Sequence, residues 1–250
     1  MTLTREPKLF NVVVMRLGLR ALLGNRRSWI LIGLSALLFV VAGLTRWGSG
    51  GSLDASSGLI VNFGFGTLVP IMCLLIGTGV IAPEIEDGSI VYILAKPLAR
   101  RSIVLSKLAI AVPVALVFSV LSIVIASEIA GDHSGQLAMG MGVATALASV
   151  AYTSVFLMIA VLTRNSIIVG LIYALLWEGV LAGYVPGVRA LSIRQWALAP
   201  AEQILSGNSN WHVTSDVSVA TGLIMLTITT VGAALISVQR LKTLSVRVSD

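Results

Sequence analysis

Charge is the scarcest commodity in this chain. Only 11% of its 250 residues are charged, against 56% hydrophobic, and the mean hydropathy is +0.97. A soluble domain of this length carries about 25% charged residues. Too little charge is present to coat a globule, and the apolar residues come in long blocks with short polar joints, so lipid is the natural solvent. Cysteine occurs once, as Cys73 inside an apolar block, which excludes an internal disulfide and a cysteine-cluster metal site. Histidine occurs twice. Met139 and Met141 lie near His133 in sequence but read as gap-filling core residues, and His212 beside Trp211 gathers no ligand set, so no metal is expected. No paired acids, no His-Glu-x-x-His and no histidine in a span accompany Ser119, Ser122 and Ser127, which argues against an intramembrane enzyme. A phosphate loop is missing as well: none of Lys8, Lys96, Lys107 and Lys242 follows the glycine run of Gly-x4-Gly-Lys-Ser/Thr. No cleavable signal peptide is expected, since the basic N-terminal stretch is too long for one and no small-residue cleavage site follows.

What is present is a series of apolar blocks. A spanning helix needs roughly 20 mostly apolar residues. Six blocks pass or come close: Trp29 to Thr45, a stretch within Ala55 to Pro83, Ser102 to just before Glu128, Gln136 to Thr163, Asn165 to about Tyr184, and Val217 to Val238. The first is short, and Lys107 in the third is expected to snorkel back to the headgroups. Membrane strands are excluded, because they are about 10 residues long and alternate in polarity. The fold class expected is an all-α integral membrane protein of six spans. It comprises an N-terminal interfacial segment (1–28), a single transmembrane domain (29–238) and a tail (239–250).

The bases set the orientation. Fourteen lie in the N-terminal segment, the joint after span two, the joint after span four and the tail; only Arg46, Arg189 and Arg194 lie on the opposite side. By the positive-inside rule both termini are cytoplasmic and the span count is even. Bases that flank apolar blocks in this way, without a clustered patch and aromatics, point away from nucleic acid. Phe10 to Gly24 reads as an amphipathic helix on the membrane surface, with Arg16, Arg20 and Arg27 on one stripe and Phe10, Val14, Leu17 and Ala21 on another. The joint from Pro186 to Ser215 is long enough for one or two short helices at the outer surface. Gly140, Ala144, Ala148 and Ala151 form a small-residue ladder suited to close packing within the bundle. No internal repeat links the two halves, which weakens an inverted-repeat transporter.

The most patterned segment is the charged island between spans two and three. Pro83 suits the first turn of a helix, and Glu84, Glu86 and Asp87 suit its positive end. Ile90 to Leu94 supplies apolar side chains, Lys96 follows at the C-terminal end, and Pro97 stops the helix. Acids are poorly placed against a negative cytoplasmic leaflet. A short helix with an apolar centre and charged ends fits a protein groove better.

This island, Pro83-Glu84-Ile85-Glu86-Asp87-Gly88-Ser89-Ile90 followed by Leu94-Ala95-Lys96-Pro97-Leu98-Ala99-Arg100 and Lys107, resembles the cytoplasmic signature of type-2 ATP-binding-cassette (ABC) exporter permeases. Ser106 stands where that family has Gly, and Leu98 where Val is common. The resemblance implies an amphipathic elbow, six spans and a coupling helix seated in a cytoplasmic ATPase subunit. Glu84, Glu86, Gly88, Lys96, Pro97 and Arg100 then become the coupling residues. It further implies that this chain binds no cofactor of its own, with ATP and magnesium held by the partner ATPase. A second permease copy or a homologue would complete the pathway in the cell membrane, and the cargo would be a hydrophobic or amphiphilic compound moved outward.

Within the spans, Glu178 stands out, since a carboxylate at the bilayer centre costs roughly 2.5–3.5 kcal/mol. It reads either as a pathway group or as a structural hydrogen-bond anchor. Tyr152, Tyr173 and Trp177 are candidates to line a cleft, against a plainer reading as packing residues. The rival functions are an ion- or proton-coupled secondary transporter, for which Glu178, Pro70 and Pro113 are the available features, and a structural assembly factor.

Overall fold

The computed structural model describes residues 26–50, 52–87, 100–130, 135–181, 186–206 and 213–246. Among them every regular element is helical. In chain order these are α1 (Arg26–Gly48), α2 (Leu53–Gly79), α3 (Ala82–Glu86), α4 (Arg100–Ala130), α5 (Gln136–Leu162), α6 (Ser166–Leu181), α7 (Pro186–Arg189), α8 (Ile193–Leu205) and α9 (Val219–Val246). The expected elbow, and Gly88, Lys96 and Pro97, lie outside the described residues.

Among the described residues five helices, α1, α2, α4, α5 and α9, are long and apolar enough to cross a membrane. The first is longer than its apolar block: it takes in Arg26 and extends to Gly48. The third runs past Glu128 to Ala130. The block expected as a fifth span is helical over Ser166–Leu181, and residues 182–184 of it lie outside the described residues.

The core is built around α5, which packs against α2, α4, α8 and α9. Its small-residue ladder is spent inside the bundle, since Ala144, Ala148 and Ala151 are fully buried. At its upper rung a Cβ on Gly140 would sit 2.9 Å from Leu205 Cγ, so glycine is what lets α8 approach. Gly77 does the same between α2 and α5, where a Cβ would lie 2.9 Å from the Thr153 carbonyl. The turn into α5 passes through Gly135 at φ 72°, a left-handed conformation that disfavours side chains. By contrast α1 and α9 present Trp29, Val40, Leu44, Ile224, Ile228 and Leu235 outward, as lipid-facing helices do.

Two helices are wound wide. Residues Leu59–Leu68 of α2 and Tyr173–Leu181 of α6 are π-helical, and the two segments pack against each other. In α2 the Val69 N–H donates to Gly64 O, five residues back. Pro70 accounts for the break at the end of this run: it has no N–H for the Gly66 carbonyl, and its ring would crowd that carbonyl in a regular turn.

The long joint before α9 does form two helices, α7 and α8, but α8 does not lie across the surface. Ile193, Trp196, Ala197, Leu198, Ala201 and Leu205 are all buried. The reason is compositional: the stretch places apolar residues on a wide face and small ones where α5 and α9 close in, so it gains more by entering the bundle than by covering it. Backbone contact follows, with a Cβ on Gly222 of α9 only 2.5 Å from Trp196 O.

Candidate functional site: two buried polar centres

The first centre lies where the chain leaves α2. Pro83 and Glu84 occupy the first turn of α3, as the sequence pattern requires. Lys107, in the second turn of α4, turns inward rather than snorkelling to the headgroups. Its side chain is 1% exposed, donates to Val80 O at 2.7 Å and forms an ion pair with Glu84. Val80 caps the end of α2, so one ammonium satisfies a carbonyl at the negative end of that helix and neutralises the acid that opens α3. Three elements are thereby joined through a single buried cation. Arg100 begins α4 and is half-buried, Asp87 is exposed at the end of α3, and Glu86 is its last residue.

The second centre joins α6 to α8. Glu178 is fully buried in the π-helical turn of α6. Its carboxylate accepts from Ser192 Oγ at 2.5 Å, Ile193 N–H at 3.0 Å, Arg194 N–H at 3.3 Å and Tyr173 OH at 3.3 Å. It therefore caps the N-terminus of α8, where backbone donors and the helix dipole favour an anion. Four donors on one carboxylate is the geometry of an anchor. Phe156 connects the two tyrosines, stacking on Tyr152 with centroids 6.1 Å apart and meeting Tyr173 edge-on at 6.0 Å. The Tyr152 hydroxyl is buried without a hydrogen-bonding partner among the described residues, close enough to Glu178 to feel its charge. Trp177 precedes Glu178 on the same turn and is half-buried.

Arg194 extends the centre to α2. Its Nη2 donates to Asn62 Oδ1 at 2.7 Å and to Val61 O at 3.1 Å. Nη1 lies over Gly66, where a Cβ would approach to 2.9 Å.

Over residues 24–185 the sequence matches the family described as ABC-2 family transporter protein. The chain belongs to that family. No curated protein matches it comparably. An ABC-2 protein is a multi-pass membrane transport component that works with an ABC ATPase, which accords with the apolar helices found here. The ABC-2 match takes in Glu84, Lys107, Tyr152, Tyr173, Trp177 and Glu178, whereas Ser192, Arg194 and all of α9 lie beyond it.

Of the residues singled out from sequence, Glu178, Tyr173 and Tyr152 are gathered at one place, and Glu84 is joined to Lys107. Ser192, Arg194 and Asn62 were passed over. Asn62 carried a signal, as a lone amide within an uncharged apolar run. Arg194 carried none, because it looked like an ordinary base in an outer joint.

Proposed function

We propose that this chain is the permease subunit of an ATP-driven ABC exporter, with a separate ATPase acting on the 83–101 segment. In this reading the bundle has six crossings, α6 being the short fifth, and both termini are cytoplasmic. Two permeases, identical or homologous, enclose the pathway. The cargo is a hydrophobic or amphiphilic compound, and Tyr152, Tyr173 and Trp177 contribute to the wall it passes. Glu178 fixes the α6–α8 join beside that wall.

The observation that carries the reading is the Lys107 lock. A segment pushed by a partner moves a membrane bundle only if it is rigidly attached to it. Here the start of that segment is attached at both sides, to the end of α2 and to α4, through a charge too costly to leave unpaired. Glu84, Glu86, Gly88, Lys96, Pro97 and Arg100 are the residues assigned to the ATPase contact.

The test is reconstitution of the permease with its ATPase, assaying ATP hydrolysis and transport together. Glu86→Ala and Lys96→Ala are expected to lower cargo-stimulated hydrolysis several-fold while membrane insertion stays normal. Full coupling in both variants, or full-rate transport by the isolated chain under an ion gradient, would overturn the reading. The second outcome would favour a secondary transporter.

A further inference from the structure

Asn62 is exposed on a helix with a mean hydropathy of 2.2 in its apolar window. It lies about 14 Å along α2 from Leu53 at 1.5 Å per residue. Thr67 adds a hydroxyl beside it, donating to Asn62 O at 3.3 Å. The Asn62 amide donates to Gly58 O at 3.0 Å, so these groups are satisfied within the chain and still leave a polar strip on an otherwise apolar exposed face. Arg194 points its guanidinium at that face. The charge is opposed only by neutral acceptors, Val61 O and Asn62 Oδ1, and among the described residues no carboxylate lies within ion-pair distance. Glu178 acts on the guanidinium only through space: its carboxylate is held by four neutral donors, one of them the Arg194 backbone N–H. The Arg194 Nε–H is buried and has no acceptor among the described residues. Gly66 leaves the space in which the guanidinium sits. The result is a cation held in place by its neighbours, short of one acceptor and without a contact ion pair among the described residues, at the border of an exposed face.

We propose that Arg194 and Asn62 form a binding subsite for the anionic group of an amphiphile: a phosphate, sulfonate or carboxylate head on an apolar tail. The Nη1 N–H donors, which make no hydrogen bond among the described residues, suit an oxygen of such a group, and the exposed Asn62 amide lies beside them. The flanking half-buried Leu59, Phe63, Tyr173 and Trp177 suit the tail. That the amphiphile is cargo rests on the permease reading; that it binds does not.

The isolated chain, without any ATPase, is placed in nanodiscs of zwitterionic phosphatidylcholine. It is titrated with a dansyl-labelled dodecyl phosphate and with the same chain bearing a trimethylammonium head. Energy transfer from the tryptophans is read against empty nanodiscs. Saturable binding at least ten-fold tighter for the phosphate is expected. Arg194→Gln should erase that preference. Asn62→Asp, isosteric at an exposed position, should erase it too by giving the guanidinium a fixed counter-charge. Gly66→Ala should weaken phosphate binding several-fold by crowding Nη1. A wild-type protein without head-group preference overturns the proposal, as does an Asn62→Asp protein that keeps it, even should Arg194→Gln fail to fold. Adding phosphatidylglycerol to the discs separates the sources. Full competition means the subsite holds a resident lipid headgroup, and persistent probe binding means cargo. Because no ATPase is present, a failure of coupling leaves these results unchanged.

Discussion

Lys107 shows how much one side chain decides in an apolar bundle. Replacing it with Met would leave Glu84 charged against the end of the bundle and remove the donor from Val80. Breaking a buried pair at one partner costs about 3–5 kcal/mol, and the lower end applies because Glu84 is 23% exposed. We expect Lys107→Met to lower the unfolding midpoint in detergent, and Lys107→Met/Glu84→Met to recover more than half of the loss. A double variant no more stable than the single one would show that the acid is not the partner that matters. Glu178 invites a parallel test. Glu178→Gln keeps an acceptor oxygen for the α8 amides, whereas Glu178→Leu strands Ile193 N–H, Arg194 N–H and two hydroxyls in the interior. At about 1–3 kcal/mol for each orphaned group, hydrogen exchange at the start of α8 should accelerate sharply in the Leu variant and modestly in the Gln variant. In sequence only Glu178 announced that it needed partners; Lys107 read as a base able to reach the headgroups. Neither announced which partner, because Val80 and Ser192 are brought near by packing and leave no local trace.

At the scale of elements, glycines separate the contacts that hold helices close from those that do not. A Cβ at Gly77 would press on the Thr153 carbonyl, and backbone cannot swing aside. Gly77→Val should therefore spread α2 from α5 and destabilise by a few kcal/mol. Gly33, with nothing within 4 Å of its would-be Cβ, should accept Ala with no loss and a gain approaching 1 kcal/mol from helix propensity. Thermal unfolding of the two variants side by side checks both. The helices themselves were legible, because long apolar runs between charges have few other folds in lipid. Their pitch was not. Pro70 marks a break, but the run of wide turns upstream depends on what packs beside Gly64 and Gly66, namely Leu38, Ile123 and Arg194. The fate of α8 was also hidden: a moderately apolar helix at the end of a bundle can lie across it or enter it, and only the space beside Gly140 and Gly222 settles which.

For the molecule as a whole, the orientation expected from the distribution of bases is open to direct measurement. Asp54 and Asp87 are exposed at opposite ends of the α2 region, and Cys73 is buried where reagents do not reach it. In intact cells a membrane-impermeant maleimide should label Asp54→Cys, and should label Asp87→Cys only after the membrane is opened. The reverse pattern would invert the topology and place the 83–101 segment beyond the reach of a cytoplasmic ATPase.

The sequence alone determined the solvent and the class of architecture, because the balance of charge and apolar blocks depends on composition and order and on nothing else. It also carries the segment proposed to meet a partner, since an ordered set of acids, apolar residues and bases is written along the chain. Tertiary structure alone decided which groups the buried charges meet: Glu84 and Val80 for Lys107, the first turn of α8 for Glu178, a carbonyl and an amide of α2 for Arg194. Electrostatic pairing in a low-dielectric interior is settled by distances of a few ångströms between residues far apart in sequence, and those distances exist only once the helices have packed.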